Sequence, residues 1–101
     1  MELEVESGKI IKDATEADIL CQIAAEDFAI LSADPDTYLQ CAKDRKAVGQ
    51  YALERQDGSL QEHYRAVDKP ITLERVQTAF CKYLRQDPSW RGDFQWEHMR
   101  L

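Results

Sequence analysis

The segment Gln56-Asp57-Gly58-Ser59 stands between two strand-like runs, Val48 to Arg55 and Leu60 to Val67, and constrains the fold more than any other part of the chain. Asp-Gly between such runs is a strong hairpin signal, because both central residues of a type I′ turn need positive φ. A two-residue turn at Asp57-Gly58 pairs Leu53 with Glu62 and Tyr51 with Tyr64. It also sets Arg55 opposite Leu60, Ala52 opposite His63 and Gln50 opposite Arg65. Strand side chains alternate between faces. One face of the hairpin therefore carries Tyr51, Leu53, Leu60 and Tyr64 and reads as core. The other carries Gln50, Glu54, Gln61, His63 and Arg65 and reads as wet.

A second hairpin is expected over residues 28–42, where Phe28 to Ser32 and Thr37 to Ala42 flank Ala33-Asp34-Pro35-Asp36. Aspartate before proline is turn chemistry. Met1 to Glu6 alternates apolar with acidic and reads as a short strand, and Lys9 to Lys12 extends a second one or leads into a helix. Asp13 with Glu16 three residues on resembles a capping box, and the stripe of Ala17, Leu20, Ile23 and Ala24, with Ile19 beside them, places a helix over about 14–25. Thr72 caps a second helix, with Ile71 and Val76 as a hydrophobic staple and Leu73, Val76, Phe80, Tyr83 and Leu84 as its stripe. Asp87-Pro88 ends it. Phe94 to Met99 reads as a closing strand, with Trp96 expected to be more buried than Trp90 and to meet the Phe80 stripe. The fold class is α+β, a mainly antiparallel sheet of about five to six strands with both helices on one face. With 101 residues, the chain has the length of one domain with one core.

Such a core leaves little room for an enclosed substrate cavity, and no constellation of catalytic residues stands out. His63 adjoins Glu62 and His98 adjoins Glu97, but neighbours on a strand point to opposite faces, so neither pair makes an acid–base dyad. A Cys41/His63 nucleophile pair across strands lacks a third orienting group. Cys21, Cys41 and Cys81 fit neither a disulfide framework nor a zinc spacing and read as buried thiols. The four glycines are scattered, so there is no phosphate loop. The expectation is no catalytic residue, no metal and no cofactor. No apolar run suggests a membrane span, and the acidic start is unlike a secretory signal; the chain is expected in the cytoplasm.

Charge is unevenly spread. Residues 1–36 hold ten acids against two bases, net −8, and residues 37–101 hold nine acids against eleven bases, net +2. That repels nucleic acid and attracts a basic protein. The candidate partner-binding residues are Glu16, Asp18, Glu26 and Asp27 from the acidic third, Glu54, His63 and Arg65 from the wet hairpin face, and Trp90 as an aromatic anchor. Whether the chain is a monomer or a homodimer is left open.

Gln50-Tyr51-Ala52-Leu53-Glu54-Arg55-Gln56-Asp57-Gly58-Ser59, then His63-Tyr64, a helix with Phe80 and Tyr83-Leu84, Trp90 and Phe94-Gln95-Trp96-Glu97 follow one another. This layout, over residues 28–99, resembles the immunity proteins of bacterial polymorphic toxin systems. The resemblance implies a cytosolic inhibitor that binds a toxin domain and blocks it, with no enzymatic activity of its own. A small acidic secretion or folding chaperone is the alternative, and an interaction module of another kind remains a third.

Overall fold

The computed structural model describes all 101 residues. The alternation of Glu2–Val5 sends Leu3 and Val5 inward and Glu2 and Glu4 outward, forming strand β1. β2 (Ile10–Ile11) folds back on it, and the chain then crosses through helix α1 (Glu16–Ala25) to β3 (Phe28–Asp34). Strands β4 (Thr37–Lys43), β5 (Tyr51–Asp57) and β6 (His63–Ala66) follow as a meander. Helix α2 (Leu73–Leu84) and a 3-10 helix (Pro88–Asp93) lead to β7 (Trp96–Met99). The result is one antiparallel seven-stranded sheet in the order β2-β1-β3-β4-β5-β6-β7. The α+β class and the mainly antiparallel sheet agree with the sequence reading. The extra strand is the two-residue β2.

Both helices cover the same face. Leu3, Val5, Ala29, Leu31, Leu39, Cys41 and Leu53 from the strands share one core with Ile19 and Ile23 of α1 and Val76, Ala79 and Phe80 of α2. The helices run antiparallel: Gln77 Nε2 donates to the Leu20 carbonyl, and Arg85 at the end of α2 pairs with Glu16 at the start of α1. Thr72 caps α2, and Ile71 and Val76 are both buried, so the staple reading holds.

Four local expectations are corrected. α1 is capped by Thr15, not Asp13: Thr15 and Asp18 exchange bonds as a capping box, and Asp13 adopts φ +52° in the turn before it. Aspartate tolerates that left-handed conformation better than most residues. Cys21 is exposed on α1 rather than buried.

The third correction concerns the β5–β6 connection, which is not a two-residue turn. Gly58, at φ +87°, donates its N–H to the Asp36 carbonyl at 3.0 Å, and a 3-10 turn at Leu60–Glu62 follows. Arg55 therefore lies opposite Tyr64, Glu54 opposite Arg65 and Gln56 opposite His63, and Leu60 is exposed. The slip is an even number of residues, so each β5 and β6 residue keeps its expected face although every partner changes.

The fourth concerns the tryptophans. Trp90, on the 3-10 helix, is the buried one at 4 % exposure, while Trp96 is only half-buried. Trp90 packs edge-on against Tyr83 of α2 at 5.3 Å and against Trp96 at 5.8 Å, so it wedges helix onto sheet. Trp96 lies at the sheet edge with its indole N–H on the Arg91 carbonyl.

Trp90→Ala is therefore expected to cost about 3–5 kcal/mol and Trp96→Ala less, read as the difference in urea midpoint at unchanged slope. A second expectation follows from burial, which pushes the Cys41 thiol and the Tyr83 phenol each up to about 12. Ordinary values are 9.0 and 10.0, so both groups ionise more easily in the unfolded chain. Their contribution is complete below about pH 9 and is lost as pH rises through the folded values. Urea melts across that range should show stability falling with pH, and a Tyr83→Phe variant should lose less of it.

Candidate functional site

Because both helices lie on one face, the other face of the sheet is bare. Two cross-strand rows run over it. One is Glu2, Ser32, Tyr38, Gln56, His63, Met99; the other is Ile10, Glu4, Ile30, Gln40, Glu54, Arg65, Glu97. At the centre, polar side chains bond to one another. Tyr38 Oη donates to Gln56 Oε1 at 3.1 Å, and Gln56 Nε2 donates to the Asp36 carbonyl at 3.1 Å, which fixes the amide's orientation. His63 Nδ1 meets the same Gln56 oxygen at 3.1 Å, and His63 Nε2 meets Glu54 Oε1 at 2.7 Å. Gln40 Nε2 also donates to Glu54 Oε1, at 3.3 Å. Both imidazole nitrogens thus face side-chain oxygens. Tyr38 stands edge-on to the ring at 6.0 Å. Gln56 and His63 are only 5 % and 3 % exposed although they lie on the bare face.

This arrangement leaves neither imidazole nitrogen free. A general base needs a nitrogen within reach of a substrate proton, and here both nitrogens are engaged and the ring is buried. Glu54 and His63 meet diagonally across β5 and β6, with Gln56 rather than the expected Ala52 directly opposite His63. Cys41 lies opposite Leu53 on the helix-covered face, so the sheet separates it from His63. No three histidine, cysteine or acidic side chains converge as a metal site would require.

The sequence-predicted partner-binding residues do not form one surface. Glu54, His63 and Arg65 share the bare face, where Arg65 is paired with Glu97 at 3.2 Å. Glu16 is paired with Arg85, and Asp27 with Lys43 at 3.7 Å. Glu26 accepts from the Ser7 hydroxyl. Asp18 is held below the usual carboxylate range by the Thr15 backbone N–H and then by the Thr15 hydroxyl. These four acids lie at or just beyond the ends of α1, on the helix-covered side, where Asp18 serves the cap, Glu16 and Asp27 ion pairs and Glu26 a hydrogen bond. Trp90 is core, so it presents no surface to a partner.

Sequence reasoning missed the acids that do reach the bare face. Glu2, Glu4, Asp13 and Asp34 rim a hollow of about 850 Å³ floored by Ile30, Ser32, Tyr38 and Gln40. None of the four is in an ion pair. The signal was present in the alternation of Glu2 and Glu4 with Leu3 and Val5.

No family model, curated protein or solved structure matches the chain.

Replacing Gln56 by Leu removes the oxygen shared by Tyr38 and His63 and leaves a buried ring nitrogen without a partner. The expected cost is about 1–3 kcal/mol, measured by urea denaturation. Gln40→Leu, at a half-buried position of the neighbouring row, should cost less.

Proposed function

We propose that this chain is a protein-binding inhibitor that docks the bare face of its sheet onto a basic partner, in the manner of an immunity protein neutralising a toxin domain in the cytoplasm. The observation that carries the reading is the segregation of the molecule into two sides. Both helices pack on one face. The other presents unpaired carboxylates at the β1 end and a hydrogen-bonded polar row at its centre. Fixed polar groups lose little freedom on binding, and complementary charge speeds encounter. A chaperone for unfolded clients needs a broad apolar groove, whereas the exposed large apolar residues Ile10, Leu20, Val48, Leu60, Val67 and Leu101 are dispersed over separate elements. The chain has no helix long and apolar enough to cross a membrane.

The test begins with co-purification of the native partner and an assay of that partner's activity. A basic protein in a stoichiometric complex, with its activity suppressed, is expected. Glu2→Gln, Glu4→Gln and Asp34→Asn together should slow association several-fold at low salt and little at high salt, since screening acts beyond about 8 Å at 0.15 M. Glu16→Gln, Asp18→Asn, Glu26→Gln and Asp27→Asn together should leave the rate unchanged. A partner whose activity is unaffected, or a rate governed by the α1 set, overturns the proposal.

A further inference from the structure

The strands β5 and β6 do not stay together. They pair over only three residues, Glu54–Gln56 against His63–Arg65. Beyond that point β6 turns toward β7, where the Val67 N–H bonds the Gln95 carbonyl. The chain returns to β5 at the Gln50–Thr72 bridge, and the Tyr51 N–H bonds the Ile71 carbonyl. Between these attachments the sheet has an opening of about 420 Å³, at the small end of ligand cavities, roughly 300–1,000 Å³. Leu53 and Ile71, both buried, form its floor, and Ala52, Val67 and Met99 supply apolar walls.

Glu54 stands at the rim. Its Oε1 is pinned by His63 and Gln40, while Oε2 meets no donor within the chain. A carboxylate fixed through one oxygen and open at the other is a pre-oriented acceptor for a cation. The remaining charges largely cancel internally: Arg65 is bound to Glu97 and Asp68 to Arg75. Asp44 and Glu54 are left facing Lys69 around the opening.

We propose that this opening receives one long cationic side chain, an arginine or lysine of a protein partner, with its stem on Ala52, Val67 and Met99 and its head on Glu54 Oε2. The proposal rests on the inhibitor reading above and names its anchor point. Long cationic side chains suit such a site because their stems are apolar and only the tip is charged.

The test needs no partner. N-acetyl-arginine methylamide and its lysine counterpart are titrated into the ¹⁵N-labelled protein, with the norleucine and glutamate analogues as controls. Saturable shifts at Ala52, Glu54, Arg65 and Val67 with either cationic probe are expected. Affinity should fall about tenfold in Glu54→Gln, which keeps an acceptor for His63 and Gln40. It should also be lost in Ala52→Leu, which fills the opening from its exposed wall. Glu2→Gln should change nothing. Equal binding of norleucine, preference for glutamate, shifts centred on Glu2 and Glu4, or no binding would each overturn the anchor. Such a failure leaves inhibition through the bare face standing. Conversely, a probe that binds as described while a co-purified partner keeps its full activity removes the inhibitor reading and not the site, and a partner that binds the Glu54→Gln variant as tightly as the parent chain overturns the anchor.

Discussion

The register of β5 against β6 is the constraint on which the rest depends. It sets Arg55 opposite Tyr64 on the helix-covered face and Gln56 opposite His63 on the bare one. A buried guanidinium costs several kcal/mol unless its surroundings compensate, and Arg55 is 9 % exposed. Its compensation is assembled by that register: the plane lies 4.1 Å over the Tyr64 ring and 4.9 Å from the Trp96 ring, and Nη1 pairs with Asp57. Asp57 also holds Arg91 at 3.0 Å, and Arg91 lies over Trp90. One ionic and aromatic network therefore ties β5, β6, β7 and the 3-10 helix together. The Arg55 Nε is the one buried side-chain polar atom without a hydrogen-bond partner, turned into aromatic surroundings.

The two faces answer the same register in different ways. On the covered side the row Leu3, Leu31, Leu39 continues into Arg55, Tyr64 and His98, so an aliphatic core passes into a cation sandwiched by rings. On the bare side Glu2, Ser32 and Tyr38 continue into Gln56 and His63, so exposed carboxylates pass into a buried polar chain. On the bare face the row is least solvated at Gln56 and His63, and beside them the strands separate to leave the opening at Glu54.

Much of this was legible in the sequence because period-two and period-3.6 patterns report burial directly. The faces of Leu3 and Val5, of Tyr51 and Leu53, and of Glu54, His63 and Arg65 follow from alternation alone, and the stripe and staple of α2 follow from Ile71, Val76 and Phe80. What alternation does not report is register. Asp57-Gly58 signals a turn, yet Gly58, at positive φ, reaches the Asp36 carbonyl, 22 residues back (58 − 36) in another hairpin. Long-range bonds of that kind decided which residues met: His63 found Glu54 and Gln56 instead of Ala52. The same limit explains the tryptophans. Composition marks both as core candidates, but which one wedges beneath Tyr83 depends on the 3-10 path from Pro88 to Asp93, and no periodicity announces that path. Likewise, acids on α1 look like surface charge until the capping box and the Arg85 and Lys43 partners are seen.

The burial of the His63 row bears on what the bare face can do. A polar row open to water must shed that water and order its side chains when a partner arrives, and each immobilised side chain opposes binding by about 0.5–1.5 kcal/mol. Here Gln56 is fixed by the Asp36 carbonyl, His63 by two acceptors and Glu54 by two donors before any partner is present. Folding has already met the ordering cost at the centre of the face. The carboxylates of Glu2, Glu4 and Asp34 at the β1 end carry no such restraint beyond the Asp34 bond to the Asp36 N–H. The face is therefore graded, with unpaired charge at one end and hydrogen-bonded side chains nearer the middle; on the inhibitor reading proposed above, the first attracts a basic partner and the open oxygen of Glu54 holds it. A surface serving only solubility gains nothing from a buried, oriented row, because solvated charge alone performs that task.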